Sequence, residues 1–129
     1  MRGVDTNVVV RFLTGDDKHQ AAKARAVIEA GDVFIATTVL LESEWVLRTA
    51  YRFAAGRIAD AFRALAGLSG VSIEDPARLA QALGWMAGGM DFADALHLAA
   101  AEGCATFLSF DRGLAKAAAR VAALVVEAP

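Results

Sequence analysis

The sequence predicts an α/β fold, a three-layer α/β/α sandwich around a central, mainly parallel sheet. Short β-type apolar runs alternate along the chain with longer stretches of helical periodicity. Parallel neighbours need a crossover between them, which those helical stretches supply, and each strand is then covered on both faces. Within 129 residues there is no internal repeat, low-complexity tract or Pro/Gly/Ser-rich linker, so a single domain over residues 1–129 is expected.

In order, strands are expected around Val4, over Val33 to Ala36, Val71 to Ile73, Ala105 to Ser109 and Val121 to Val126. Helices are expected over Asp17 to Ala30, Thr38 to Ala55, Ile58 to Leu68, Pro76 to Ala87, Asp91 to Glu102 and Leu114 to Arg120. Val8 to Leu13 fits either type. Ligands of such sheets bind beyond the carboxyl ends of the strands, where Asp5 and Asp111 are expected.

Hydrophobic residues make up 57% of the chain, yet no uncharged run reaches the ~18–20 residues of a membrane span. A soluble protein is expected. The amino terminus, with an acid at Asp5, lacks the apolar core of a signal peptide, and the sole cysteine, Cys104, suits a reducing cytoplasm. Thirteen Lys and Arg against fifteen Asp and Glu give a net charge of −2, unlike a protein that grips nucleic acid by phosphate contacts alone. His19 and His97 make no zinc set with one cysteine.

Most acids have an ordinary structural explanation. Asp16 or Asp17 can cap the second helix, and Asp75 before Pro76 is a cap followed by proline at the first helical position. Glu29, Asp32, Asp60, Glu74, Glu102 and Glu127 fall at element ends or on polar faces, where acids are normally solvated. On the helix beginning near Thr38, Val39, Val46, Leu47, Ala50, Phe53 and Ala54 form an apolar arc, and Glu44 stands four residues before Arg48 in the order that favours an ion pair. Glu42 is expected half-buried at the margin of that arc, its i+3 and i+4 neighbours being Trp45 and Val46. It then needs a distant partner or a metal.

Asp91 and Asp94 share a helical face and repel. Alternatively, Asp91 is a cap and Asp94 lies near the positive end of the helix dipole. Asp111 is either a turn or cap residue or part of a site, and Asp5, with only Arg2 nearby, is expected in a largely apolar setting. Asp5, Glu42, Asp94 and Asp111 are thus the acids without an evident local neutraliser, a pattern that suits a shared divalent cation.

These residues resemble the PIN-domain family, in particular the VapC toxins of bacterial toxin–antitoxin pairs, over nearly the whole chain. Val4-Asp5-Thr6-Asn7-Val8 resembles the family's first motif, and the Val39 to Arg48 segment resembles the second, with its glutamate on Glu42. Asp91-Phe92-Ala93-Asp94 resembles the third, with the principal aspartate on Asp94. Ser109-Phe110-Asp111-Arg112-Gly113-Leu114 resembles the fourth, with serine where threonine is usual. The resemblance implies a metal-dependent endoribonuclease of single-stranded or structured RNA that uses Mg2+ or Mn2+ at Asp5, Glu42, Asp94 and Asp111. It also implies an RNA substrate, a homodimer and a VapB-like antitoxin that blocks the site. At such a site a divalent ion lowers the pKa of a water and stabilises charge on the phosphoryl oxygens.

Thr6, Asn7 and Ser109 are candidates to orient the acids, and Arg11, Lys18, Arg112 and Lys116 to guide the RNA backbone. Each also reads as an ordinary turn, cap or solvated residue. Two rival readings remain. A receiver-like phosphoacceptor needs a lysine near the last strand, whereas Lys116 falls on the helix before it and no acid pair ends the first strand. The other rival is an inactive PIN-like binding scaffold.

Overall fold

The structure, a computed structural model, describes residues 1–121 and 123–129. It comprises two compact units, Met1–Pro76 and Ala77–Pro129.

In the first unit the chain runs β1 (Arg2–Gly3), α1 (Thr6–Thr14), α2 (Lys18–Ala30), β2 (Val33–Ile35), α3 (Thr37–Thr49), α4 (Ala55–Ala66) and β3 (Val71–Ile73). The strands form one sheet in the order β1-β2-β3, parallel throughout, with Arg2 opposite Val33 and Ile35 opposite Ile73. Two helices separate each pair of successive strands, as a parallel connection requires. Central β2 is the most apolar strand, and its Val33 and Ile35 are fully buried. The ladder extends past β1, where the Val4 amide donates to the Phe34 carbonyl at 3.2 Å.

The ambiguous Val8 to Leu13 run is helical. Asp5 caps α1 by accepting from the Val8 amide at 3.1 Å, and left-handed Gly15 closes it, its amide donating to the Arg11 carbonyl. Asp17, rather than Asp16, caps α2, accepting from the Gln20 amide at 3.0 Å. Helix α3 has no capping side chain of its own. Glu74, just after β3, accepts from the Thr37 amide at 3.0 Å, so this acid is a tertiary cap.

The expected helix from Thr38 to Ala55 is corrected to two elements. Helix α3 stops at Thr49, Arg52 adopts a left-handed φ of 56°, and α4 begins at Ala55. The aromatic residues near the end of that expected helix bind elsewhere. The Tyr51 hydroxyl donates to Asp16 Oδ2 at 2.6 Å, while Phe53 lies edge-on to Tyr51 and beneath the Arg57 guanidinium. The buried face of α3 is accordingly Leu40, Ser43, Glu44 and Leu47, not the arc drawn through Ala50 and Phe53. Glu44 is 3% exposed and is held by the expected pair with Arg48 at 2.8 Å.

Arg11 is enclosed in this unit by acceptors. It donates to Asp16 Oδ1 at 2.8 Å, Gln20 Oε1 at 2.8 Å and the Tyr51 hydroxyl at 3.0 Å. Asp16 is pulled down from its ordinary value near 3.8 to about 2, first by the Tyr51 hydroxyl and then by Thr14 and Arg11. At the sheet end, Gly31 (φ 78°) passes so close to Gly70 that a Cβ on Gly70 would lie 2.6 Å from the Gly31 Cα.

The second unit contains α5 (Pro76–Ala87, from its second residue), α6 (Phe92–Ala100), β4 (Phe107–Leu108), α7 (Arg112–Arg120) and β5 (Val126–Glu127). Strands β4 and β5 pair in parallel, with Phe107 opposite Val126 and Leu108 opposite Glu127. Helix α5 buries Leu79, Ala82, Leu83 and Met86 along one stripe. The strand expected from Val121 to Val126 is shorter and later: Val121 caps α7 and pairing begins at Val126, while Ala122 lies outside the described residues. Among the described residues no helix is long and apolar enough to cross a membrane.

Two outcomes follow from these contacts. Gly70→Ala forces the Gly31 backbone to move and lowers stability by about 1–3 kcal/mol, the usual cost of overpacking, measured by urea denaturation. Because Asp16 titrates lower in the folded chain than in the unfolded one, its contribution is present above about pH 4 and is lost as pH falls toward 2. Tyr51→Phe removes the leading cause, so acid unfolding followed by circular dichroism begins at higher pH than in the wild type.

Candidate functional site

In the first unit the candidate residues are Asp5, Thr6, Asn7, Arg11, Lys18 and Glu42. Asp5 is exposed at the turn from sheet to α1. Its position is set by the Val4 ladder bond on one side and by its own cap bond on the other. Thr6 opens α1, and its hydroxyl donates to Glu42 Oε1 at 2.5 Å, joining residues 36 apart in sequence. That bond holds the α3 carboxylate to the N-terminus of α1, where the helix dipole favours negative charge.

Glu42 is exposed rather than half-buried. The expectation placed it beside Phe53, which lies beyond the end of α3, and the buried face turns away from it by a large part of a helical rotation. Asn7, one residue beyond Thr6, points to a different neighbour. With Arg11 it faces Gln20 and Lys23 of α2 across a cavity of about 240 Å³ with Val8, Ala24 and Val27 in its wall. Arg11 is committed to Asp16, Tyr51 and Gln20, which makes it a structural cation of this unit. Lys18 is exposed at the first position of α2.

In the second unit the candidates are Asp91, Asp94, Ser109, Asp111, Arg112 and Lys116. Asp91 caps α6, accepting from the Asp94 amide at 3.1 Å, and Asp111 caps α7, accepting from the Leu114 amide at 3.1 Å. The Ser109 hydroxyl accepts from the Asp111 amide at 3.0 Å, closing a small turn that fixes the Asp111 backbone. Arg112 and Lys116 are exposed on α7.

Asp94 is half-buried in the first turn of α6. Its carboxyl is pushed above the ordinary aspartate value, first by burial, then by the charges of Asp91 and Asp111, with His97 opposing weakly. The favourable helix-dipole position read from the sequence is therefore outweighed by lost solvation and like-charge repulsion. Two of the four sequence-selected acids, Asp94 and Asp111, thus feel one another, and Asp91 joins them. Sequence reading left the part played by Asp91 open, because a cap and a site residue carry the same local pattern.

The donors are all carboxylate oxygens, the chemistry that hard Mg2+ or Mn2+ prefers. Among the described residues no three His, Cys, Asp or Glu side chains are gathered closely enough to hold a metal ion among them. The fit to a hard cation accordingly rests on donor type and on the repulsion at Asp94. Sequence reading missed the Thr6–Glu42 bond and the Tyr51–Asp16 bond, since no local pattern reports contacts between residues more than 30 positions apart.

The family model described as PIN domain matches residues 4–120. Comparison with curated proteins returns no match.

Asp94→Asn keeps the shape of the side chain and removes its repelled charge, so the variant melts at higher temperature than the wild type in metal-free buffer at neutral pH. A divalent cation held beside Asp94 would relieve the same repulsion, so any rise that Mn2+ gives the wild-type midpoint is expected to be smaller in the variant, by mass action on the folded state. Calorimetry with and without chelator reads both, and a lower midpoint for the metal-free variant contradicts the repulsion.

Proposed function

Because this chain belongs to the PIN-domain family, whose members are in general metal-dependent nucleases, we propose that it is a Mg2+- or Mn2+-dependent endoribonuclease, the toxin of a VapBC-type toxin–antitoxin pair. In this reading it works in the cytoplasm as a homodimer on an RNA substrate, and a VapB-like antitoxin blocks it. The observation that carries the proposal is Asp94, a carboxylate disfavoured as an anion first by its partial burial and then by the charges of Asp91 and Asp111, both of which a divalent cation would offset.

Asp5, Glu42, Asp94 and Asp111 are the acids assigned to the metal. When bound, the ion supplies Lewis acidity toward a phosphodiester oxygen and toward the attacking water. The chain's own residues prepare for this. Thr6 orients Glu42 through its hydroxyl, Ser109 fixes the Asp111 backbone, and the capping amides hold the Asp5 and Asp111 carboxylates. Exposed Lys18, Arg112 and Lys116 offer positive charge to the phosphate backbone of a chain whose net charge is −2. Arg11 has little to spare for that task, with three acceptors already engaged.

Asp5→Asn and Asp94→Asn each lower RNA cleavage by more than about a hundred-fold while the fold is kept, because losing even an orienting partner of a metal ligand costs 10–100-fold. Cleavage of single-stranded RNA is measured on gels with Mg2+, with Mn2+ and with chelator. Full activity in both variants, or undiminished cleavage in chelator, sinks the proposal.

A further inference from the structure

Phe110 is 86% exposed, more than any other large apolar side chain among the described residues. A phenyl ring in water forgoes the free energy that burial would give it. The backbone that carries it is nevertheless pinned on both sides. The Ser109 amide donates to the Glu127 carbonyl at 3.0 Å, the Asp111 amide to the Ser109 hydroxyl at 3.0 Å, and the Leu114 amide to Asp111 Oδ1 at 3.1 Å. The ring is thus presented from an ordered turn, and the entropy of fixing that backbone is already spent before any ligand arrives.

What surrounds the ring limits what can cover it. Phe110 is followed by Asp111 and Arg112, both exposed, and one residue before Ser109 stands exposed Leu108, opposite charged, exposed Glu127. Phe and Arg are common in protein interfaces, but Asp and Glu are depleted there, and exposed Asp111 follows the ring while exposed Glu127 lies opposite Leu108. An unpaired nucleotide has the matching chemistry: a flat apolar base for the ring and a charged phosphate for Arg112 and for a metal-holding acid. Adjacent Cα atoms are about 3.8 Å apart, so a base lying on Phe110 is held one residue from Asp111 and two from Arg112.

We propose that Phe110 is the stacking platform for an unpaired RNA base beside the phosphodiester to be cut. The inference rests on the nuclease reading and narrows its substrate class: a base inside a duplex already has both faces stacked, so Phe110 selects unpaired stretches. Stacking tolerates any base, so it sets register without choosing sequence. Phe110 is then a positioning residue. It touches the substrate away from the reacting atoms and acts through Asp111, its neighbour.

The test uses the full chain and a fluorescein-labelled single-stranded RNA of mixed sequence. Binding is read by anisotropy in chelator and cleavage in Mn2+. Phe110→Ala weakens binding roughly five- to a hundred-fold, the range of one lost base–aromatic stack, and raises KM more than it lowers kcat. Phe110→Trp keeps the affinity and Phe110→Leu does not, since leucine keeps apolar bulk but no π-face. The thermal midpoints of all three match the wild type. Cleavage and binding by Phe110→Ala equal to the wild type overturn the inference and leave the nuclease reading standing. So does a loss shared equally by Leu and Trp, or a change of oligomeric state with RNA affinity unchanged. A wild-type chain that neither binds nor cuts the RNA sinks the nuclease reading itself, and this inference with it.

Discussion

Parallel strands cannot be joined by a tight turn, and this constraint organises the first unit. The chain must leave β1 and return to β2 through α1 and α2, then leave β2 and return to β3 through α3 and α4. Each departure from the sheet needs a helix start, and each helix start has amides without intrahelical partners. Asp5 answers that need at α1, and Glu74 answers it from β3 at α3. Acid side chains therefore collect at the departing ends of strands for a backbone reason first, and any metal chemistry is built on carboxylates already fixed in place.

The second unit uses the same device. Asp91 and Asp111 cap α6 and α7, and their charges bear on half-buried Asp94. A cap is stabilising by itself. The cumulative charge is not, and together with burial, the larger cause, it raises the Asp94 carboxyl above its ordinary value. A protein selected for stability alone gains nothing from that repulsion, which gives it weight as a functional sign.

Elsewhere the chain neutralises its charges. Arg11 and Asp16 are tied together with Tyr51 and Gln20, and buried Glu44 is paired with Arg48. Both arrangements draw cations into the framework. Lys18, Arg112 and Lys116 remain exposed, as do Lys23, Arg25, Arg52 and Arg120, on a weakly acidic protein.

Periodicity and caps were legible in the sequence. The α/β class, most element positions, the Glu44–Arg48 pair, a cap at Asp16 or Asp17 and the capping alternative at Asp91 all follow from local rules that act over three or four residues. The end of α3 was not legible, because Ala50, Phe53 and Ala54 continue an apolar arc, while the Phe53 ring lies beneath Arg57 and the Tyr51 hydroxyl binds Asp16, contacts that no helical template contains. Nor was the exposure of Glu42, the burial of Glu44 or the Thr6–Glu42 bond, since which face of a helix meets the core depends on distant segments packing against it. The sequence by itself determined the alternation of apolar strands with helices and which acids lack a local partner, because both depend on residues three or four positions apart. Only tertiary structure decided which carboxylates are held, buried or repelled, because solvation and charge–charge energies depend on distance in space and not along the chain.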